Sequence, residues 1–145
     1  MAIEKAVYTA HATVTGGRDG VARTDDGNLE VKLHTPKELG GTGTGTGTNP
    51  EQLFAVGYAA CFIGALKHVA GEQKLRLDPN TSINSSVFFG PLANNAPGFG
   101  IAVALEVHIP GLDHAKAEEL VQAAHVICPY SNATRNNIDV TLTVA

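Results

Sequence analysis

Two cysteines, Cys61 and Cys128, are the only thiols in this chain of 145 residues. They form no Cys-x-x-Cys pair, and the start Met1-Ala2-Ile3-Glu4-Lys5 has neither the apolar core of a signal peptide nor a basic transit pattern. In that setting two thiols point to redox chemistry or metal binding rather than to a structural crosslink. The reactive form of cysteine is the thiolate, so the surroundings decide the chemistry. Cys61 lies about twelve residues into a predicted helix, roughly 18 Å from its start, beyond useful reach of the N-terminal dipole. Apolar burial alone raises a thiol pKa and makes it inert. A reactive Cys61 therefore needs a cation from elsewhere in the fold.

Four arginines are available: Arg18, Arg23, Arg76 and Arg135. Arg18 stands in Gly16-Gly17-Arg18-Asp19-Gly20, where a backbone largely free of β-carbons lets a long side chain reach inward. Guanidinium keeps its charge when buried, and Glu51 could orient it through a bidentate pair. The plainer reading of Arg18-Asp19 is a solvated hairpin tip whose charges contribute little. Cys128 ends a predicted helix, where the negative pole disfavours a thiolate. If one thiol attacks and the other resolves, local electrostatics make Cys61 the attacker and Cys128 the resolver.

A metal site is the alternative use of these side chains. His125 and Cys128 sit at i, i+3, but Cys61 has no ligand-type neighbour at short spacing, which argues against it. His125 then packs near a helix C-terminus, where its cationic form is tolerated. The run Gly40-Gly41-Thr42-Gly43-Thr44-Gly45-Thr46-Gly47-Thr48 precedes a helix, as phosphate-binding loops do, yet no Gly-Lys-Ser/Thr ending follows. A flexible loop or hinge is the reading it supports.

The elements that must position these residues are well signalled. Val7 to Thr15, Val21 to Thr24 and Leu29 to Leu33 form a meander, with Asp25-Asp26-Gly27-Asn28 as a tight turn. Leu29, Val31 and Leu33 share one face. Asn49 caps a helix with Pro50 at its first position and Glu51 at its positive pole, running to about Gly71. Ser82 to Gly90 and Phe99 to Ile109 are strands around a loop. Asp113 caps a second helix running to about Cys128, because Pro129 disfavours α conformation there. Ile138 to Val144 closes the chain as a strand. The order β-β-β-α-β-β-α-β predicts one α+β domain over residues 1–145, with antiparallel sheets.

Net charge is −4, which leaves no basic footprint for nucleic acid. The apolar run Leu53 to Leu66 falls short of the roughly 20 residues a membrane span needs. A cytoplasmic protein with no membrane partner is expected. The helix from Pro50 is apolar or small around almost its whole circumference, so burial on nearly all sides is expected, more than a small meander covers. That predicts a homodimer. Glu51 and Cys61 are also about 15 Å apart along one axis, and a two-fold antiparallel helix pair would bring one subunit's Glu51 toward the other's Cys61.

Three stretches carry a family resemblance: Gly16 to Gly20, Gly47 to Phe62, and Cys128-Pro129-Tyr130-Ser131-Asn132-Ala133-Thr134-Arg135. Together they resemble the organic hydroperoxide resistance proteins of the OsmC superfamily. The resemblance implies an OsmC-like fold, with β-sheets wrapped around long central helices in an intertwined homodimer. It implies a peroxidase acting on organic and fatty-acid hydroperoxides in the oxidative stress response. Cys61 would be the peroxidatic cysteine, Cys128 the resolving one, and Arg18 with Glu51 the activating pair. A redox-active Cys61–Cys128 disulfide would be recycled by a lipoylated protein carrying dihydrolipoyl groups, with no metal or flavin. Phe54, Tyr58 and Phe62 would favour alkyl or acyl hydroperoxides, since removing hydrocarbon from water contributes about 25 cal/mol per Å². Each of these aromatics is equally readable as core. The OsmC branch, with other substrate and reductant preferences, and a thiol redox sensor remain as alternatives.

Overall fold

The computed structural model describes residues 1–145, which divide into two compact units, Met1–Leu53 and Phe54–Ala145. The first holds a three-stranded antiparallel sheet of β1 (Ala12–Thr15), β2 (Val21–Thr24) and β3 (Glu30–Lys32), in that order. β1 is shorter than the expected Val7 to Thr15, because β2 offers partners only from Thr15↔Val21 to Ala12↔Thr24. Val7 and Tyr8 are left exposed. Along the β3 segment Leu33 is buried but Leu29 is open, so the expected shared face is buried at one end only.

The second unit pairs β4 (Ser82–Pro91) with β5 (Phe99–His108) in a long antiparallel hairpin, from Ser82↔His108 to Pro91↔Phe99. The last strand, β6 (Val140–Val144), lies parallel to β5, with Val103 opposite Val140. This corrects the expectation of purely antiparallel sheets. Two helices intervene, α2 (His114–Ile127) and α3 (Pro129–Thr134), and a helical crossover returns the chain to run in the same direction. Asp113 caps α2 as expected, its side chain accepting the Lys116 N–H.

The long helix α1 (Pro50–Glu72) begins at the end of the first unit and continues through the second. Asn49 caps it, Oδ1 accepting the Gln52 N–H at 2.8 Å. At 23 residues, with a mean hydropathy of 1.6 over an 18-residue window, it is long and apolar enough to cross a membrane by length and composition, which the shorter run Leu53 to Leu66 did not reveal. Its buried side, however, is part of the core. Tyr58, Phe62, Leu66 and Val69 join Val103, Leu105 and Val107 of β5 and Leu120, Val121 and Ala124 of α2. The expectation of burial all round is not met within one chain: Val56, Ala60 and Gly64, one turn apart, form an exposed apolar and small-residue stripe.

Candidate active site

In the first unit the strand β1 must reverse into β2 around Arg18. Gly16 takes φ 76°, a left-handed conformation that glycine adopts without strain. At Gly20 the turn is so tight that a Cβ would lie 1.6 Å from the Thr15 carbonyl oxygen. Only glycine closes this loop. Asp19 then pins it: its carboxylate accepts the Thr35 N–H at 2.9 Å and the Thr35 hydroxyl at 2.7 Å, with His34 Nδ1 at 3.6 Å. These bonds from Thr35 hold the Asp19 carboxyl below its usual range.

Thus fixed, Arg18 meets Glu51 in a two-pronged pair. Nη1 donates to Oε2 at 2.9 Å and Nη2 to Oε1 at 2.6 Å. The Arg18 side chain is 37% exposed and that of Glu51 16%. Hydrogen bonding from Arg18 is the main reason the Glu51 carboxyl is held below its usual range, with burial opposing it. The same bond raises the Arg18 pKa further. The Gly-Thr run lies against His34, whose Nε2 accepts the Gly45 N–H at 3.3 Å. A Cβ on Gly45 would sit 2.3 Å from the His34 ring, so the glycine repeat permits close packing there.

In the second unit the two thiols face each other. Cys61 Sγ and Cys128 Sγ are 3.9 Å apart, in contact and reduced, against about 2.05 Å for a disulfide. Cys128 is wholly buried and Cys61 partly so. Burial pushes the Cys61 thiol up, and Cys128 adds to the effect; a hydrogen bond from the Tyr130 backbone N–H works the other way. The sequence placed Cys128 at the end of a helix, and it is the C-cap of α2, its N–H bonded to the Ala124 carbonyl. It is also the residue that starts α3, with Pro129 at the first helical position, which the sequence did not show. His125 turns Nδ1 to Ser131 Oγ at 2.9 Å.

Of the three aromatics expected around a substrate, Tyr58 and Phe62 have no exposed surface, and Phe54 is partly buried. Phe54, Tyr58 and Tyr130 form one cluster with ring centroids 5.6 to 6.0 Å apart. Gly57 admits the third ring, since a Cβ there would be 2.9 Å from the Tyr130 hydroxyl.

The profile of the OsmC-like protein family matches residues 43–143. An organic hydroperoxide resistance protein from Xanthomonas axonopodis pv. citri is 61% identical over 142 residues, covering 98% of this chain and 97% of that one. The chain belongs to the organic hydroperoxide resistance branch of the OsmC-like family. Solved structures agree with this membership. The crystal structure of an organic hydroperoxide resistance protein from Legionella pneumophila superposes with a TM-score of 0.88 at 50% identity, covering 97% of this chain and 99% of that one. The OhrB protein of Bacillus subtilis gives 0.86 at 48%, covering 97% and 100%.

The sequence assigned no role in the site to Asp19, Thr35, Tyr130, Ser131 or Thr134. Asp19 had a signal, a carboxylate beside the one arginine set in a glycine-rich turn. The donor on Cys61 had none, because it is a backbone N–H.

Proposed function

We propose that this chain confers organic hydroperoxide resistance as a thiol peroxidase, reducing organic and fatty-acid hydroperoxides in the cytoplasm as part of an oxidative stress response. The observation that carries the reading is the contact of Cys61 and Cys128 at 3.9 Å, a separation that small movements convert to a bond. The Cys61 thiolate attacks the distal oxygen of the hydroperoxide. An S–O bond forms, the O–O bond breaks, and the alkoxide leaves as an alcohol after taking a proton. Cys61 is then a sulfenic acid. The Cys128 sulfur displaces its oxygen, forming the disulfide and releasing water with the thiol proton. A dithiol reduces the disulfide by exchange through a mixed intermediate, and dihydrolipoyl groups on a lipoylated protein fit that role. No metal or flavin enters this scheme.

Burial pushes the Cys61 thiol up, so the mechanism needs a cation, and Arg18 held in the fork by Glu51 is the one we assign. The exposed stripe of Val56, Ala60 and Gly64 supports a homodimer built on paired α1 helices. In such a pair the Glu51 of one subunit, with its own Arg18, approaches the Cys61 of the other. Phe54 and Tyr130 supply apolar surface for the organic group, backed from beneath by Tyr58 and Phe62. Anaerobic consumption of cumene hydroperoxide, with dihydrolipoamide compared against glutathione and thioredoxin, tests the proposal. Sustained turnover with dihydrolipoamide supports it. Turnover with the other reductants alone favours an OsmC-type enzyme, and a single oxidation without turnover favours a redox sensor.

A further inference from the structure

Tyr58 has no exposed surface, yet its hydroxyl sits in the core with a full set of partners. It lies 3.0 Å from Ser131 Oγ and 3.0 Å from Thr134 Oγ1. Ser131 Oγ continues to His125 Nδ1 on α2 at 2.9 Å. Ser131 and Thr134 are themselves buried. This polar chain therefore joins α1, α2 and α3 inside an otherwise apolar cluster, where a phenylalanine would fill the same space without needing partners.

What the chain holds is α3, a helix of six residues and too short to keep its own place. α3 begins at Cys128, whose sulfur lies 3.9 Å from that of Cys61. Tyr58 and Cys61 are three residues apart on α1, so they lie on neighbouring positions of one helix face. The hydroxyl that ties α3 to α1 is thus one turn from the sulfur that α3 must meet.

We propose that Tyr58 is a positioning residue for disulfide formation, its hydroxyl docking α3 on α1 so that Cys128 is held against Cys61. The inference rests on the reading of Cys61 as the oxidised thiol and Cys128 as its resolver. The step it governs is the attack of the Cys128 sulfur on the Cys61 sulfenic acid, in which the S–S bond forms, the S–OH bond breaks and water departs. The first step, attack of Cys61 on the hydroperoxide, does not use the Cys128 sulfur.

The experiment is an anaerobic single turnover of the reduced protein with stoichiometric cumene hydroperoxide, quenched at intervals and followed by mass spectrometry. Tyr58→Phe keeps the ring cluster and deletes the hydroxyl. In Tyr58→Phe the Cys61 sulfenic acid should persist about tenfold longer before the disulfide closes, the equivalent of one neutral hydrogen bond. Thr134→Val should do the same and Thr134→Ser should restore the unaltered lifetime, a pair that decides the matter if Tyr58→Phe fails to fold. Val107→Ala, a cavity in β5, should lower thermal stability without lengthening the sulfenic acid lifetime. Disulfide closure at the unaltered rate in Thr134→Val, or equal slowing in Val107→Ala, would overturn the proposal. An unaltered protein that shows no Cys61 oxidation would overturn the underlying reading as well, and differs visibly from a failure confined to the variants.

Discussion

Replacing Arg18 with alanine should separate stability from reactivity. The Arg18–Glu51 fork has two short bonds, but the guanidinium is 37% exposed and the carboxylate 16%. Solvent screening at that exposure leaves the pair worth under about 1 kcal/mol to folding, so Arg18→Ala should cost a few degrees of Tm at most. The effect on Cys61 is expected to be much larger. Burial already pushes that thiol up, and an opposite charge within reach lowers a pKa by about 1 to 3 units. Each unit lost is about tenfold in thiolate when the pKa lies above the assay pH, so Arg18→Ala should slow peroxide reduction at neutral pH about 10- to 1000-fold. Arg18→Lys should recover part of this, because ammonium restores charge but not the planar fork. The assay is ultraviolet titration of the thiolate in a Cys128→Ser background, where only Cys61 reports, together with stopped-flow oxidation. An unchanged Cys61 titration in Arg18→Ala, or a rate that falls only with the folded fraction, would refute the assignment of Arg18.

Subunit exchange tests the shared site: inactive Cys61→Ser mixed with inactive Glu51→Ala should regain activity, and no recovery despite proven exchange would remove the interfacial arrangement. The Glu51 carboxyl, held down by Arg18, makes a contribution to stability that is complete above the unfolded value of about 4.3 and disappears as pH falls through its lower folded value. Arg18→Ala should therefore flatten the acid limb of the stability profile, measured by urea unfolding between neutral and acid pH. Gly20→Ala should unfold the Arg18 turn or fail to express, since its Cβ would overlap the Thr15 carbonyl, and it should abolish peroxide reduction while the secondary structure of the second unit persists by circular dichroism.

Local signals made much of this fold legible. Asn49, Pro50 and Asp113 announce helix starts through side-chain capping and fixed φ, and these act within one turn. The glycines flanking Arg18 announce a turn too tight for side chains. Long-range pairing was harder to see. The parallel placement of β6 on β5 depends on a crossover through α2 and α3, and α3 is too short to leave a periodic pattern. Cys61 and Cys128 are 67 residues apart, and their contact follows from the bend at Cys128 rather than from either segment alone. The exposed stripe on α1 reversed an expectation for a related reason. Apolar composition tells which faces avoid water, but not whether this chain or a second copy covers them. The bonds of Tyr58 to Ser131 and Thr134 left no signal, because an aromatic ring in an apolar helix says nothing of where its hydroxyl finds partners.

The central claim is that Cys61 and Cys128 perform the redox cycle together, and peptide mapping after a single oxidation tests it most directly. Reduced protein is treated anaerobically with stoichiometric cumene hydroperoxide, alkylated, digested and read by mass spectrometry. The account predicts one disulfide joining the Cys61 and Cys128 peptides, released again by dihydrolipoamide. With Cys128→Ser it predicts a single added oxygen on Cys61. Both thiols recovered free and alkylated after the hydroperoxide is consumed, or oxygen added to Cys128 while Cys61 stays reduced, would contradict it.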